Sequence, residues 1–169
     1  MVAQYLLSIG HHTFAYINGA SDNYDNMKRM QGFQTALMQS GIQFDEIDII
    51  EGEFEKEIAY ESMKQFVQSG RPLPEAVFAA NDLSAIGAVK ALIDSGIEVP
   101  EQVSVVGCDD IEIASLVRPS LTTMRTSFEK QGTLAVQHLI ALISGEEKGC
   151  IDVLQGRIIP RESTCARRI

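Results

Sequence analysis

Asn23, Asp25, Arg29, Phe54, Asn81, Asp82, Asp109 and Asp110 stand out in this 169-residue chain because each falls in the loop that follows a short apolar run or in the first turn of the helix after it. Between them they offer a guanidinium that donates in a fixed fork, amides that donate and accept, carboxylates that accept, and one flat aromatic face. That set suits a small polyhydroxylated molecule with an apolar ring face. Taken singly, each has a plainer use. Arg29 could be an exposed helix residue, Asn81, Asp82 or Asp110 a helix cap, and Phe54 a loop residue packed on a sheet edge. Asp109 and Asp110 make a poor catalytic pair, since neighbours in a short loop seldom face one reacting atom. His11, His12 and His138 could be metal ligands only if they converged with carboxylates, and the adjacent pair would point apart in most conformations, so all three are read as structural and no metal site is expected.

The elements that must position these residues follow from periodicity. Strands are predicted over 13–17, 46–50, 76–80 and 103–106, and helices over 26–39, 56–68 and 83–94. Repeated strand–helix units of this kind build a doubly wound α/β fold on a parallel sheet. Where strand order reverses, a crevice opens at the strands' carboxyl ends. Loops 18–25, 51–55, 81–82 and 108–111 should therefore share one rim, which puts the polar groups above side by side. The pattern then changes to a helical turn at 111–114, a strand at 121–124, a long helix at 128–144, and strands at 151–154 and 157–159. Together with a helix at 1–9, these last elements carry more apolar surface than the sheet has faces left to cover. A second sheet, mostly outside this chain, is expected.

Composition narrows the function. The chain is 45% hydrophobic and 22% charged, the balance of a globular protein, with net charge -9 and a pI near 4.8. A phosphate backbone would repel it. Arg157, Arg161, Arg167 and Arg168 face only Glu162 at the C-terminal end and read as a solvated tail. Cys108, Cys150 and Cys165 form no CxxC pair and suit a reducing cytoplasm. No apolar stretch suggests a membrane span, and no basic, cleavable leader is visible. The first predicted strand leads into Asn18-Gly19 and not an acidic metal-binding pair. Gly-x-Ser-x-Gly and phosphate-loop motifs are absent. No enzyme and no cofactor are expected.

Several stretches then fall together in order and spacing. They are Leu7-Ser8-Ile9-Gly10-His11, Arg29-Met30-Gln31-Gly32-Phe33, Val77-Phe78-Ala79-Ala80-Asn81-Asp82, Val103-Ser104-Val105-Val106-Gly107-Cys108-Asp109-Asp110, Pro119-Ser120-Leu121-Thr122-Thr123 and Ile159-Pro160-Arg161-Glu162-Ser163-Thr164. The chain so resembles the lactose/galactose/purine repressor (LacI/GalR) family. The resemblance implies a sensing core of two α/β subdomains of the type I periplasmic-binding-protein kind. Residues 1–11 would be a remnant of the first subdomain, 12–125 the complete C-terminal effector-binding subdomain, 126–156 a return to the first, and 157–169 a final strand and tail.

By motif, the resemblance implies that Arg29 holds effector hydroxyls or a carboxylate, Asp109 accepts from hydroxyls, Asn81 bonds ring substituents and Phe54 stacks. Asn23 and Asp25 would lie on the same rim, with Thr126 and Phe128 lining the cleft from the hinge side. Cys108 stands where the family more often has an aromatic. The implied partners are a sugar or nucleoside/purine effector, a second copy of the chain, and operator DNA through an N-terminal headpiece that this chain lacks. A periplasmic sugar-binding protein of a transport system is the alternative.

Overall fold

The computed structural model describes residues 1–43, 47–146, 149 and 151–167. In chain order the elements are α1 (Val2–Ser8), β1 (Phe14–Ile17), α2 (Tyr24–Met38), β2 (Asp48–Ile50), α3 (Lys56–Gln68), β3 (Ala76–Ala79), α4 (Asp82–Asp94), β4 (Ser104–Asp109), a 3-10 turn (Glu112–Ser115), β5 (Thr122–Arg125), α5 (Phe128–Ser144) and β6 (Arg157–Ile159). The strands lie in the order β2-β1-β3-β4-β5-β6. β1 to β5 pair in parallel, and β6 runs antiparallel on the edge with Ile159 opposite Thr123. The order reverses between β1 and β3. The crevice of this sheet therefore lies outside the carboxyl ends of those two strands.

β1 and β3 are buried along their whole length, as expected of apolar strands covered on both faces. Alternation along each strand sorts the side chains into two cores. Ala15, Ile17, Val77, Ala79 and Val105 meet α3 and α4 on one face. Phe14, Tyr16, Phe78, Val106 and Cys108 meet α1 and α2 on the other, where the Phe33 and Phe78 ring centroids lie 5.1 Å apart. α3 and α4 approach so closely that a Cβ on Gly87 would sit 2.1 Å from the Lys56 carbonyl oxygen.

The structure departs from expectation in three places. The helix expected at 1–9 has cover, because Val2, Ala3 and Leu6 are buried among Phe14 and Phe33. Residues 151–154 form no strand, and Ile151 and Val153 stand exposed. Their alternation is strand-like, but an extended segment without a neighbour has nothing to pair with. The strand at 103–106 continues through Asp109, since Gly107-Cys108-Asp109 keep pairing with β5. Part of the strand expected at 46–50 lies outside the described residues. α5 does carry the uncovered apolar surface that was expected, with no residue buried.

Candidate functional site

Two capped helices set the geometry. Asn23 caps α2, its Oδ1 accepting from the Asn26 amide at 3.0 Å. Arg29 then reaches from α2 across the switch point, donating to the Ala80 carbonyl just past β3 and to Asp109 Oδ1 at 3.1 Å. Asn81 caps α4 by accepting from the Ser84 amide at 2.9 Å, and its Nδ2 donates to the Phe54 carbonyl at 2.9 Å. The loop after β2 is thus tied to α4, and α2 is tied to β3 and β4. Arg29, Phe54, Asn81 and Asp109 are brought together on one rim. Asn81 spends its oxygen on the cap and one amide N–H on Phe54, which leaves its second N–H uncommitted among the described residues.

Among the described residues, positive φ outside glycine occurs at Glu53 (51°), Phe54 (63°), Asp109 (116°) and Asp110 (58°). All four lie on this rim. Such conformations cost on the order of 1–3 kcal/mol each and persist where surrounding contacts over-determine them. Here they aim side chains. The tip of the Phe54 ring rests on Gly19, where a Cβ would come 2.1 Å from its Cζ. Only glycine permits that approach.

Asp25, in the first turn of α2, is exposed and adds negative field at Asp109. Thr126 and Phe128 stand apart. Phe128 is exposed at the start of α5, and the Thr126 hydroxyl is enclosed with no hydrogen-bond partner among the described residues. Among the described residues no hydrogen bond or ring contact joins either to the Arg29 cluster. A groove of about 320 Å³ adjoins the guanidinium, lined by Lys28, Arg29, Phe33, Phe78 and Met124 among others.

The carboxylates divide by environment. Burial pushes Asp109 up, a shift Arg29 offsets only in part. Asp110 is also penalised by burial, yet hydrogen bonds from Arg161 and Arg125 hold it below the usual range. Asp82 is pushed up to about 6, chiefly by burial, although the Thr123 hydroxyl (2.5 Å) and the Ile111 amide (2.9 Å) both donate to it. Burial raises the Cys108 thiol to about 12, which leaves it protonated and poorly nucleophilic.

Sequence reasoning missed Asn26, Arg125 and Arg161. Asn26 is buried, accepting from the Tyr16 hydroxyl at 3.1 Å and the Gly19 amide at 2.8 Å, and so holds the loop that carries Phe54's contact. Its signal was available, because it sits on the same helical stripe as Met30, Phe33 and Leu37, an apolar face where an amide needs a reason. The arginines at the C-terminal end are not all solvated. Arg161 bonds Asp110 and Arg167 pairs with Glu75 at 3.0 Å. Arg168 lies outside the described residues. Asp110 caps no helix, its carboxylate being taken up by Arg125 and Arg161.

The arrangement can grip a small polar molecule. Among the described residues no group of His, Cys, Asp and Glu could hold a metal ion, and no helix is long and apolar enough to cross a membrane.

The family model for the periplasmic binding protein-like domain matches residues 3–164. The repressor PurR of Histophilus somni is 34% identical over 161 residues, which is 94% of this chain and 48% of that protein. The chain belongs to this family, in its LacI-type branch. A dimeric lac repressor with a C-terminal deletion superposes with a TM-score of 0.92 at 29% identity, covering 98% of this chain and 60% of that one. A LacI-type regulator from Enterococcus faecium, solved with bound ribose, superposes at 0.86 with 28% identity over 99% of this chain and 62% of its own. The chain spans about half the length of the curated relatives it matches. Those relatives are transcriptional repressors, not enzymes.

Proposed function

We propose that this chain is the effector-sensing part of a LacI-type transcription regulator, which grips a sugar or nucleoside-like effector at the rim formed by Arg29, Asp109, Asn81 and Phe54. The observation that carries this reading is the Arg29–Asp109 pair, a donor fork and an acceptor facing each other at the strand-order reversal, with a strained backbone holding the acceptor in place. The effector's hydroxyls would insert between the two groups, its ring would lie on Phe54, and Asn81 would give its remaining N–H. Asn23 and Asp25 would shape the outer edge. Thr126 and Phe128 would reach the effector only if segment 126–156 belongs to a second lobe that closes over this one.

An effector that binds the closed arrangement better than the open one shifts the population between them, and a regulator reads that shift as a changed grip on DNA. The DNA contact would come from a separate headpiece, because a net charge of -9 opposes phosphate. The working unit would be a homodimer. The ribose complex of a relative favours a sugar over a purine, and the repressor relatives favour a regulator over a transport protein.

The test is a thermal-shift and calorimetric screen of sugars, nucleosides and purines on the intact protein, since a ligand that binds only the folded state raises its melting temperature. Arg29→Ala and Asp109→Ala should each weaken the best ligand by on the order of 2–4 kcal/mol while leaving the protein folded. Unchanged affinity in both variants would sink the site assignment.

A further inference from the structure

The turn that presents Asp109 is held from behind by a device the effector site itself does not include. Asp109 and Asp110 are consecutive, both at positive φ, and their side chains go separate ways: Asp109 to Arg29, Asp110 to two arginines. The Asp110 side chain is 6% exposed. Its Oδ2 accepts from Arg125 Nε on β5, and its Oδ1 accepts from Arg161 Nη2 at 2.5 Å.

Arg161 is itself fixed. Its Nη1 donates to the Leu121 carbonyl at 2.7 Å, and its backbone amide donates to Thr122 Oγ1 at 2.8 Å. Two further bonds close the turn, from the Asp110 amide to Thr123 Oγ1 at 3.3 Å and from the Ile111 amide to Asp82 at 2.9 Å. A strut that merely fastened the C-terminal segment to β5 would be complete with the Leu121 and Thr122 bonds. The added reach to Asp110 does something else. It pins the residue next to the ligand-facing carboxylate at positive φ, a region that few non-glycine residues occupy and that aspartate enters more readily than most.

Resting on the proposed function, we propose that Arg161, seconded by Arg125, is a positioning residue of the effector site, holding Asp110 so that Asp109 faces Arg29 and the cleft. The acidic groups facing this turn are Asp82 from α4, Asp25 from α2, and Asp109 itself; the cations are Arg29, Arg125 and Arg161. Losing Arg161 removes one of the two cations that fix Asp110 and lets the two adjacent carboxylates relax together. Asp109 then loses its aim and its Arg29 contact.

The experiment compares the intact protein with Arg161→Met, Arg161→Lys, Arg125→Met and Asp109→Ala. Glu162→Gln serves as a control that weakens the same segment through its Ser120 bonds. One readout is the carbon-13 carboxyl titration of Asp109, which needs no ligand. The other is calorimetry with D-ribose and D-cellobiose. Arg161→Met should move the Asp109 midpoint upward and weaken sugar binding at least tenfold. Arg161→Lys should recover part of both, and Glu162→Gln should change neither. If Arg161→Met fails to fold, Arg161→Lys and Arg125→Met carry the same expectation at smaller size. An Asp109 midpoint left in place by folded arginine variants, or moved equally by Glu162→Gln, overturns the proposal. Binding of neither sugar by the unaltered protein overturns the sugar reading instead, and undiminished binding by Asp109→Ala overturns the site assignment, while the titration still decides the clamp.

Discussion

α4 and α5 are the two most apolar long helices of this chain, and they end in opposite environments. α4 buries most of its residues, including Ala85, Ala88, Ala91 and Leu92, and exposes one stripe through Leu83, Lys90 and Ile93, while α5 buries none and leaves Leu139, Ile140 and Ile143 more than half exposed. What separates them is where a partner comes from. α4 is sandwiched between the sheet and α3, whereas no element among the described residues packs closely on α5. Burial is decided by what lies across from a helix, not by its own apolar content.

The sharpest test of that comparison is truncation. Leu92→Ala should cost this chain about 2–5 kcal/mol, and Leu139→Ala less than about 0.5, both read by urea unfolding. Comparable losses would mean that α5 has cover.

The second test is charge. α4 buries a carboxylate at its first residue, with Asp82 pushed up to about 6. Asp82 therefore holds its proton to higher pH when folded than when unfolded. The folded state binds more protons between about pH 4 and pH 6, so the contribution of Asp82 to stability falls as pH rises through that window and is level above it. The full effect is about 2–3 kcal/mol. Unfolding followed from pH 4 to 7 should show this slope in the unaltered chain and lose it in Asp82→Asn. An identical slope in both would contradict the assignment.

The third test makes one substitution in both helices. Gly87→Ala drives a methyl into the Lys56 carbonyl oxygen and should destabilise by about 1–3 kcal/mol. Gly132→Ala, with nothing near its Cβ position, should stabilise by about 0.5–1 kcal/mol through helix propensity alone. Calorimetric melting temperatures should move in opposite directions. The smallest expected effect is that of Ile140→Lys with Ile143→Lys, within about 0.5 kcal/mol of the unaltered chain in chemical unfolding.

The limits of α5 were legible in the chain because Ser144-Gly145 supplies a left-handed stop after a long apolar period, and Gly145 indeed has φ 77°. The cap at Asn81 was legible for a similar reason, since it lies three residues from the amide it satisfies. The Arg29–Asp109 pairing spans 80 residues and was reached only because strand–helix alternation places every strand's carboxyl end on one rim.

Local pattern determined the α/β alternation, the switch point's neighbourhood and the gathering of Arg29, Phe54, Asn81 and Asp109 on one rim, because period and capping act over a few residues along the chain. Tertiary structure alone decided the rest. Asp110 finds Arg125 at a separation of 15 residues and Arg161 at 51, and nothing near any of the three announces the others. Residues 151–154 carry a strand's alternation without a strand's neighbour. α1 gains its cover from Phe14 and Phe33. Ion pairs, sheet edges and covered faces all need a second surface, and which surface arrives is settled by the folded sheet.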